Sequence, residues 1–193
     1  FTKFGMESFA KTVASDIRSI SGQSKKCLIL DCDNTMWGGI IGEDGINGIS
    51  LGPQGKGKGY YDLQRHAVNL SKQGVFIALA SKNNERDVLQ VLREHPDCVL
   101  REEHISTHRI NWEDKATNIQ QISEELNIGL DSVVFCDDSK FECDWVRKNL
   151  PEGLNLEISF NRATYIGSAI NEVYKTLVIA FILVVIIIYL FFG

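Results

Sequence analysis

Proline is scarce in this chain, with three residues in 193, and no segment is a repeat or drawn from a narrow residue alphabet. A collagen-like repeat, a low-complexity array and an unfolded chain are excluded, the last because 44% of the residues are hydrophobic. Basic charge is not in excess either. Lys and Arg number 20 against 25 Asp and Glu, a formal net charge of −5, which lacks the footprint of a nucleic-acid binder. Paired cysteines are missing too. Cys27, Cys32, Cys98, Cys136 and Cys143 form an odd set with no CxxC and no metal-ligand spacing. Three of them sit in or beside apolar runs, which suits small buried hydrophobes in a reducing compartment better than a disulfide framework. His66, His95, His104 and His108 show no metal spacing. The chain starts at Phe1 and reads as a fragment, with no signal peptide in view.

One long hydrophobic run is present, Leu177 to Phe192. The mean hydropathy of −0.06 therefore averages two unlike parts. After residue 160 the only charges are Arg162, Glu172 and Lys175, so the body is acidic and the tail is apolar. As a helix the run spans roughly 24 Å, a little short of a ~30 Å hydrocarbon core. It reads as a membrane helix, and Arg162 and Lys175 before it place the N-terminal side in the cytoplasm.

The body alternates helices with continuous apolar runs. Residues 6–20 have helical periodicity, with Phe9, Val13, Ile17 and Ile20 on one side. Buried strands are expected at Cys27–Leu30, Val75–Ala80, Cys98–Leu100 and Ser132–Cys136, with a last one at Leu154–Ile158. Helices are expected at Tyr60–Lys72, Glu85–Glu94, Trp112–Leu126 and Lys140–Asn149. Residues 36–59 carry nine glycines and a proline and read as irregular. The alternation predicts an α/β class, a doubly wound parallel sheet.

Ligands of such sheets bind outside the carboxyl ends of the strands. Those ends carry Asp31-Cys32-Asp33-Asn34-Thr35, Ser81-Lys82-Asn83-Asn84 and Asp137-Asp138, and Lys115 stands near a helix start. Four carboxylates on one rim, Asp31, Asp33, Asp137 and Asp138, repel unless a cation sits among them, and hard oxygen ligands suit Mg²⁺. The set divides into the parts of a phosphoryl transfer. Asp31 is the candidate nucleophile and Asp33 the candidate acid/base; Thr35, Ser81 and Lys115 are candidate phosphate ligands. Taken singly, each residue reads equally well as a turn, a cap or a solvated charge. Their order along the sheet favours a site. Trp37-Gly38-Gly39 and Gly42-Glu43-Asp44-Gly45 are expected to shape a flap over it, and Glu142 to support the metal end.

The ordered set Asp31/Asp33, Ser81, Lys115, Asp137/Asp138 resembles the haloacid dehalogenase (HAD) superfamily. The stretches LDCDNTMWGGIIGEDG, SKNNERDVL, INWEDKATNI and VVFCDDSKFECDWVRKNLP are similar to its FkbH-like branch, the HAD-IIIC phosphatases. The family often has Asn-Pro after the aspartate pair and Glu-Arg later, where this chain has Ser139-Lys140 and Glu142-Cys143. The resemblance implies a Rossmannoid fold and Mg²⁺-dependent phosphoryl chemistry on a phosphorylated small molecule. For many members it implies dephosphorylation of 1,3-bisphosphoglycerate with glyceryl transfer to an acyl carrier protein. In those members a Cys at the position of Cys32 carries the acyl group as a thioester; otherwise Cys32 is a spacer. A generic phosphatase and a phosphate-responsive module are the alternatives.

Three parts are thus expected: an N-terminal helix and linker over residues 1–24, a HAD-like catalytic domain over 25–158, and a hydrophobic tail over 159–193. The stretch SAINEVYKTLVIAFILVVIIIYLFFG resembles the entry to a membrane helix of resistance-nodulation-division efflux transporters. In that family the helix is entered from the periplasmic side, opposite to what the body requires. The mismatch suggests a join of unrelated coding stretches near Ser159–Arg162, or else a transporter piece or a genuine tail anchor.

Overall fold

Cys27–Leu30 forms strand β1, and all four residues are buried because both faces of the sheet are covered. The computed structural model describes residues 25–150. The expected helix at 6–20, the strand at Leu154–Ile158 and the apolar tail lie outside these residues. After β1 come helix α1 (Ile41–Gly48), helix α2 (Lys58–Lys72), strand β2 (Phe76–Ser81), helix α3 (Glu85–Glu94) and strand β3 (Thr107–Ile110). Helix α4 (Lys115–Glu125), strand β4 (Val133–Cys136) and helix α5 (Lys140–Asn149) complete the order. Among the described residues no helix is long and apolar enough to cross a membrane.

The sheet is parallel throughout, in the order β3-β2-β1-β4. Leu28 faces Ile77 of β2 and Val134 of β4 in register. Alternate residues of each strand feed two cores. Leu28, Leu30, Ile77 and Leu79 pack with Ala67 and Val68 of α2 and with Val88, Val91 and Leu92 of α3. Cys27, Ile29, Ala78 and Phe135 pack on the other face with Ile119 and Ile122 of α4 and Val146 of α5. The chain runs outward from β1 to β3 and then returns past β1 to β4. The direction therefore reverses between β1 and β4, which is where such folds open a crevice at the strand ends.

Three expectations need correction. The third strand is Thr107–Ile110, not Cys98–Leu100. Residues 98–100 are apolar and mostly buried, but their backbone bonds to a side chain instead of a strand: the Gln64 Oε1 accepts from Val99 N at 2.9 Å and Leu100 N at 3.1 Å. The segment 36–59 is not wholly irregular, since α1 forms within it. Gly45, at φ 65°, kinks that helix in a conformation glycine tolerates. Helix α4 starts at Lys115 and not at Trp112, because the Asp114 carboxylate caps it by accepting from Ala116 N and Thr117 N.

Gln64 ties distant parts together. It is fully buried, and its Nε2 donates to the Met36 carbonyl at 2.9 Å while Oε1 holds residues 99 and 100. Replacing Gln64 by Leu leaves those groups without partners at about 1–3 kcal/mol each. Urea unfolding is expected to show a loss of at least about 2 kcal/mol; a change within about 0.5 kcal/mol contradicts this role.

Candidate active site

The pairing of β1 with β4 sets the two principal carboxylates side by side. Leu30 is in register with Cys136, and Asp31 N donates to the Cys136 carbonyl at 2.9 Å, so Asp31 and Asp137 leave their strands together. Lys115 is the first residue of α4, and side chains there tilt back toward the helix N-terminus, here toward the strand ends. Its Nζ donates to Asp31 Oδ1 at 2.8 Å and to Asp137 Oδ2 at 2.5 Å. All three side chains are at most 7% exposed.

This burial decides the protonation energetics. Burial alone pushes the Asp31 carboxyl up; the Lys115 ammonium works against it and the Asp137 carboxylate adds to it, leaving Asp31 at about 6. Burial also works to lower Lys115, but the two carboxylates outweigh it and hold the ammonium above the ordinary lysine range. Asp138 completes the acidic end. Carboxylate oxygens of Asp31, Asp137 and Asp138 lie within 4.8 Å of one another. An all-oxygen donor set of this kind fits a hard divalent cation.

The loop after β1 is a tight turn. Thr35 N and Met36 N both donate to the Cys32 carbonyl, and Asn34 adopts φ 54°, which Asn tolerates better than most residues. The turn sets the Asp33 carboxylate among three N–H donors. Its Oδ1 accepts from Trp37 Nε1 at 2.9 Å and Ile41 N at 3.0 Å, and its Oδ2 from Asn83 Nδ2 at 3.0 Å. Of the expected metal set Asp31, Asp33, Asp137 and Asp138, the carboxylates of Asp31, Asp137 and Asp138 are gathered, while three N–H donors hold that of Asp33. Thr35 is a candidate phosphate ligand. Its Oγ1 accepts from Asp138 N at 3.2 Å, so the hydroxyl ties the turn after β1 to the Asp137-Asp138 loop.

Ser81, at the end of β2, is 1% exposed and lies beside both Asp31 and Cys32; its Oγ accepts from Asn83 Nδ2 at 3.2 Å. Cys32 is fully buried in the core on the α2 and α3 face. Burial and the neighbouring aspartates push its thiol well above the usual range. Two further residues join the loops around the site. Asn83 links Asp33 to Ser81. Glu142, in the first turn of α5, accepts from Lys82 Nζ at 2.7 Å, a pair that joins the β2 and β4 loops across β1. The motif order marked both neighbourhoods but could not show that Asn83 points at Asp33, 50 residues away.

The architecture is an α/β fold, a four-stranded parallel sheet with the carboxylate site at its carboxyl edge. Among solved structures the chain is similar to the N-terminal part of the protein BF1531 from Bacteroides fragilis, which contains a phosphatase domain and is complexed with Mg. The identity is 42% and the TM-score 0.69, over 77% of this chain and 40% of that one. The chain thus spans well under half of that relative's length. More distant likenesses include a HAD family enzyme from Bacteroides thetaiotaomicron in complex with magnesium and inorganic phosphate, at 12% identity and TM-score 0.48 over 69% of this chain and 93% of that one. Another is 3-deoxy-D-manno-octulosonate 8-phosphate phosphatase from Moraxella catarrhalis, with magnesium, phosphate and KDO, at 16% identity and TM-score 0.43 over 84% and 80%. A family model, that of the AcrB/AcrD/AcrF family, matches residues 111–193, under half of the chain. Residues 111–150 of that range supply α4, β4 and α5 to the fold described above.

Proposed function

We propose that residues 25–158 form a Mg²⁺-dependent phosphatase domain acting on a phosphorylated small molecule. The observation that carries this reading is the buried Asp31–Lys115–Asp137 group, with Asp138 beside it and Asp33 held by three N–H donors. Asp31 attacks phosphorus, and the bond from phosphorus to the leaving oxygen breaks as Asp33 gives that oxygen a proton. Asp33 then takes a proton from water, whose oxygen attacks the phosphorus of the aspartyl phosphate. The bond from Asp31 to phosphorus breaks, and inorganic phosphate and free Asp31 result. Oδ2 of Asp33 has one donor against two on Oδ1, so it is the oxygen left to carry the proton. Asp31, Asp137 and Asp138 would hold the cation, which supplies charge neutralisation for the phosphoryl oxygens. Ser81 and Lys115 supply a hydroxyl and an ammonium beside the nucleophile.

The loop hydroxyl of Thr35 gives a first test. Replacing Thr35 by Val removes the acceptor from Asp138 N, and Mg²⁺ affinity in calorimetry is expected to fall roughly 10- to 100-fold. An affinity equal to wild type contradicts the proposed bracing of the metal loop.

A finer reading is glyceryl transfer from 1,3-bisphosphoglycerate to an acyl carrier protein through a thioester on Cys32. Its support is that Cys32 lies between Asp31 and Asp33 and beside Ser81. It requires the surroundings of the thiol to open, since the thiol is fully buried and disfavours the thiolate. Incubation with 1,3-bisphosphoglycerate is expected to give an intact-mass adduct abolished by Cys32→Ala; the absence of any adduct sinks this reading and leaves the phosphatase standing. The remaining residues, 1–24 and 159–193, are proposed as separate from the catalytic unit, with the tail as a membrane anchor or a chimeric join.

A further inference from the structure

Five large hydrophobic side chains of the described residues are exposed, and three of them stand together. Trp112 is 76% exposed, Phe141 70% and Trp145 42%. Phe141 and Trp145 lie one turn apart on α5, with stacked rings whose centroids are 6.3 Å apart. The Trp145 side chain also donates a hydrogen bond to Asp114, the cap of α4, and Trp112 stands two residues before that cap. Trp145 is thus the middle of the patch, with Trp112 on the α4 side and Phe141 on the α5 side. The patch borders the carboxyl edge of the sheet, since Trp112 precedes Lys115 by three residues and Phe141 follows Asp138 by three.

The reaction proposed above uses none of the three rings. Aromatic side chains bury 150–250 Å² each when covered, so these exposures leave roughly 300–450 Å² of aromatic surface in water. Apolar patches of that size are often functional. The area is close to half of the roughly 800 Å² that one side of a standard protein interface buries, and Trp is a favoured anchor in such interfaces.

The charges around the patch decide what covers it. On the α4 side Glu113 is exposed next to Trp112. On the α5 side Lys140 is exposed next to Phe141, and Lys148 one turn beyond Trp145. None of these three makes an ion pair among the described residues. Asp144, by contrast, is paired with Arg147 at 3.0 Å. An acidic partner would face Glu113 and a basic one would face Lys140 and Lys148, with a like-charge cost in either case. A second copy turned about a two-fold axis at Trp145 meets neither penalty. Such an interface is self-complementary, so the carboxylate at the α4 end of each copy falls opposite the ammonium groups at the α5 end of the other. We infer that this face binds a second copy of the chain about a two-fold axis, with the aromatic triplet at the centre and Glu113 of one copy facing Lys140 of the other. The inference stands independently of the phosphatase reading.

The test is sedimentation equilibrium of the full chain in density-matched detergent, which accommodates the apolar run at 177–192. At about 50 µM, above the micromolar Kd suited to a modest interface, a particle of twice 21.7 kDa is expected. Trp112→Ser and Phe141→Ser are each expected to raise Kd at least about tenfold, while Phe76→Ser, at an exposed ring on the start of β2, leaves it unchanged. Lys140→Glu sets two like-charge pairs in the interface and raises Kd roughly tenfold; adding Glu113→Lys restores it to within about threefold. All five substituted side chains are exposed, so each variant is expected to unfold at the wild-type temperature. A chain that stays monomeric overturns the inference, whether another protein or its own terminal segments cover the patch. A dimer indifferent to Trp112→Ser and Phe141→Ser places the contact elsewhere, the tail included, and overturns it as well. So does a Lys140→Glu defect that Glu113→Lys deepens or leaves in place.

Discussion

Asp31→Asn is expected to reduce phosphate release by about 10³-fold or more, because it removes the proposed nucleophile and not merely a binding contact. The substitution keeps the shape of the side chain and a partner for Lys115, so the fold is retained. It also relieves a burial cost. Asp31 is 5% exposed and its carboxyl is already pushed up to about 6, so a neutral amide sits there without the penalty of a buried charge. Activity and stability therefore move in opposite directions in this variant, which separates loss of chemistry from loss of structure. Steady-state phosphate release and thermal unfolding on the same sample check both halves. Residual activity near the wild-type level contradicts the nucleophile assignment.

Lys115→Met is expected to destabilise the metal-free protein by about 3–5 kcal/mol near neutral pH. The ammonium lies between two carboxylates that are both nearly inaccessible to solvent, and removing it leaves them buried and unpaired. The pH dependence has a definite sign. A carboxyl whose folded pKa is raised stabilises the folded state while protonated and loses that contribution as pH rises toward about 6. Without Lys115 the folded pKa of Asp31 climbs further, so the deficit is largest above pH 6 and shrinks as the pH falls below it. Mg²⁺ is expected to narrow the deficit, since a cation held by Asp31, Asp137 and Asp138 would do part of the neutralising. Urea titrations at several pH values, with and without Mg²⁺, read these terms. A variant within about 1 kcal/mol of wild type at neutral pH without metal contradicts the electrostatic account.

Strands β1, β2 and β4 were legible because strands covered on both faces are written as unbroken apolar runs. Strand β3 was not. It lies at the edge of the sheet, where His108 and Arg109 are only half-buried and break the apolar signature. The apolar Cys98–Leu100 looked like the better strand, yet its backbone is satisfied by Gln64, more than 30 residues earlier, and no local pattern reports such a partner. Much the same division holds at the site. Asp31, Ser81, Lys115 and Asp137 were readable because each stands where a strand ends or a helix starts. The roles of Asp33, Thr35 and Asn83 were not, since they depend on which way side chains turn within one loop. Asp33 reads as a metal ligand by composition, and the three N–H donors that hold its carboxylate come from loop geometry that composition does not report.

The central claim is that Asp31 becomes phosphorylated. Its most direct test is a single-turnover reaction with Mg²⁺, quenched with acid, reduced with borohydride and mapped by peptide mass spectrometry. Reduction of an aspartyl phosphate converts that residue to homoserine. Homoserine is expected at position 31 and at no other aspartate, and is absent when Mg²⁺ is withheld. Phosphate release at full single-turnover yield with Asp31 left unmodified, or with the label on another residue, contradicts it.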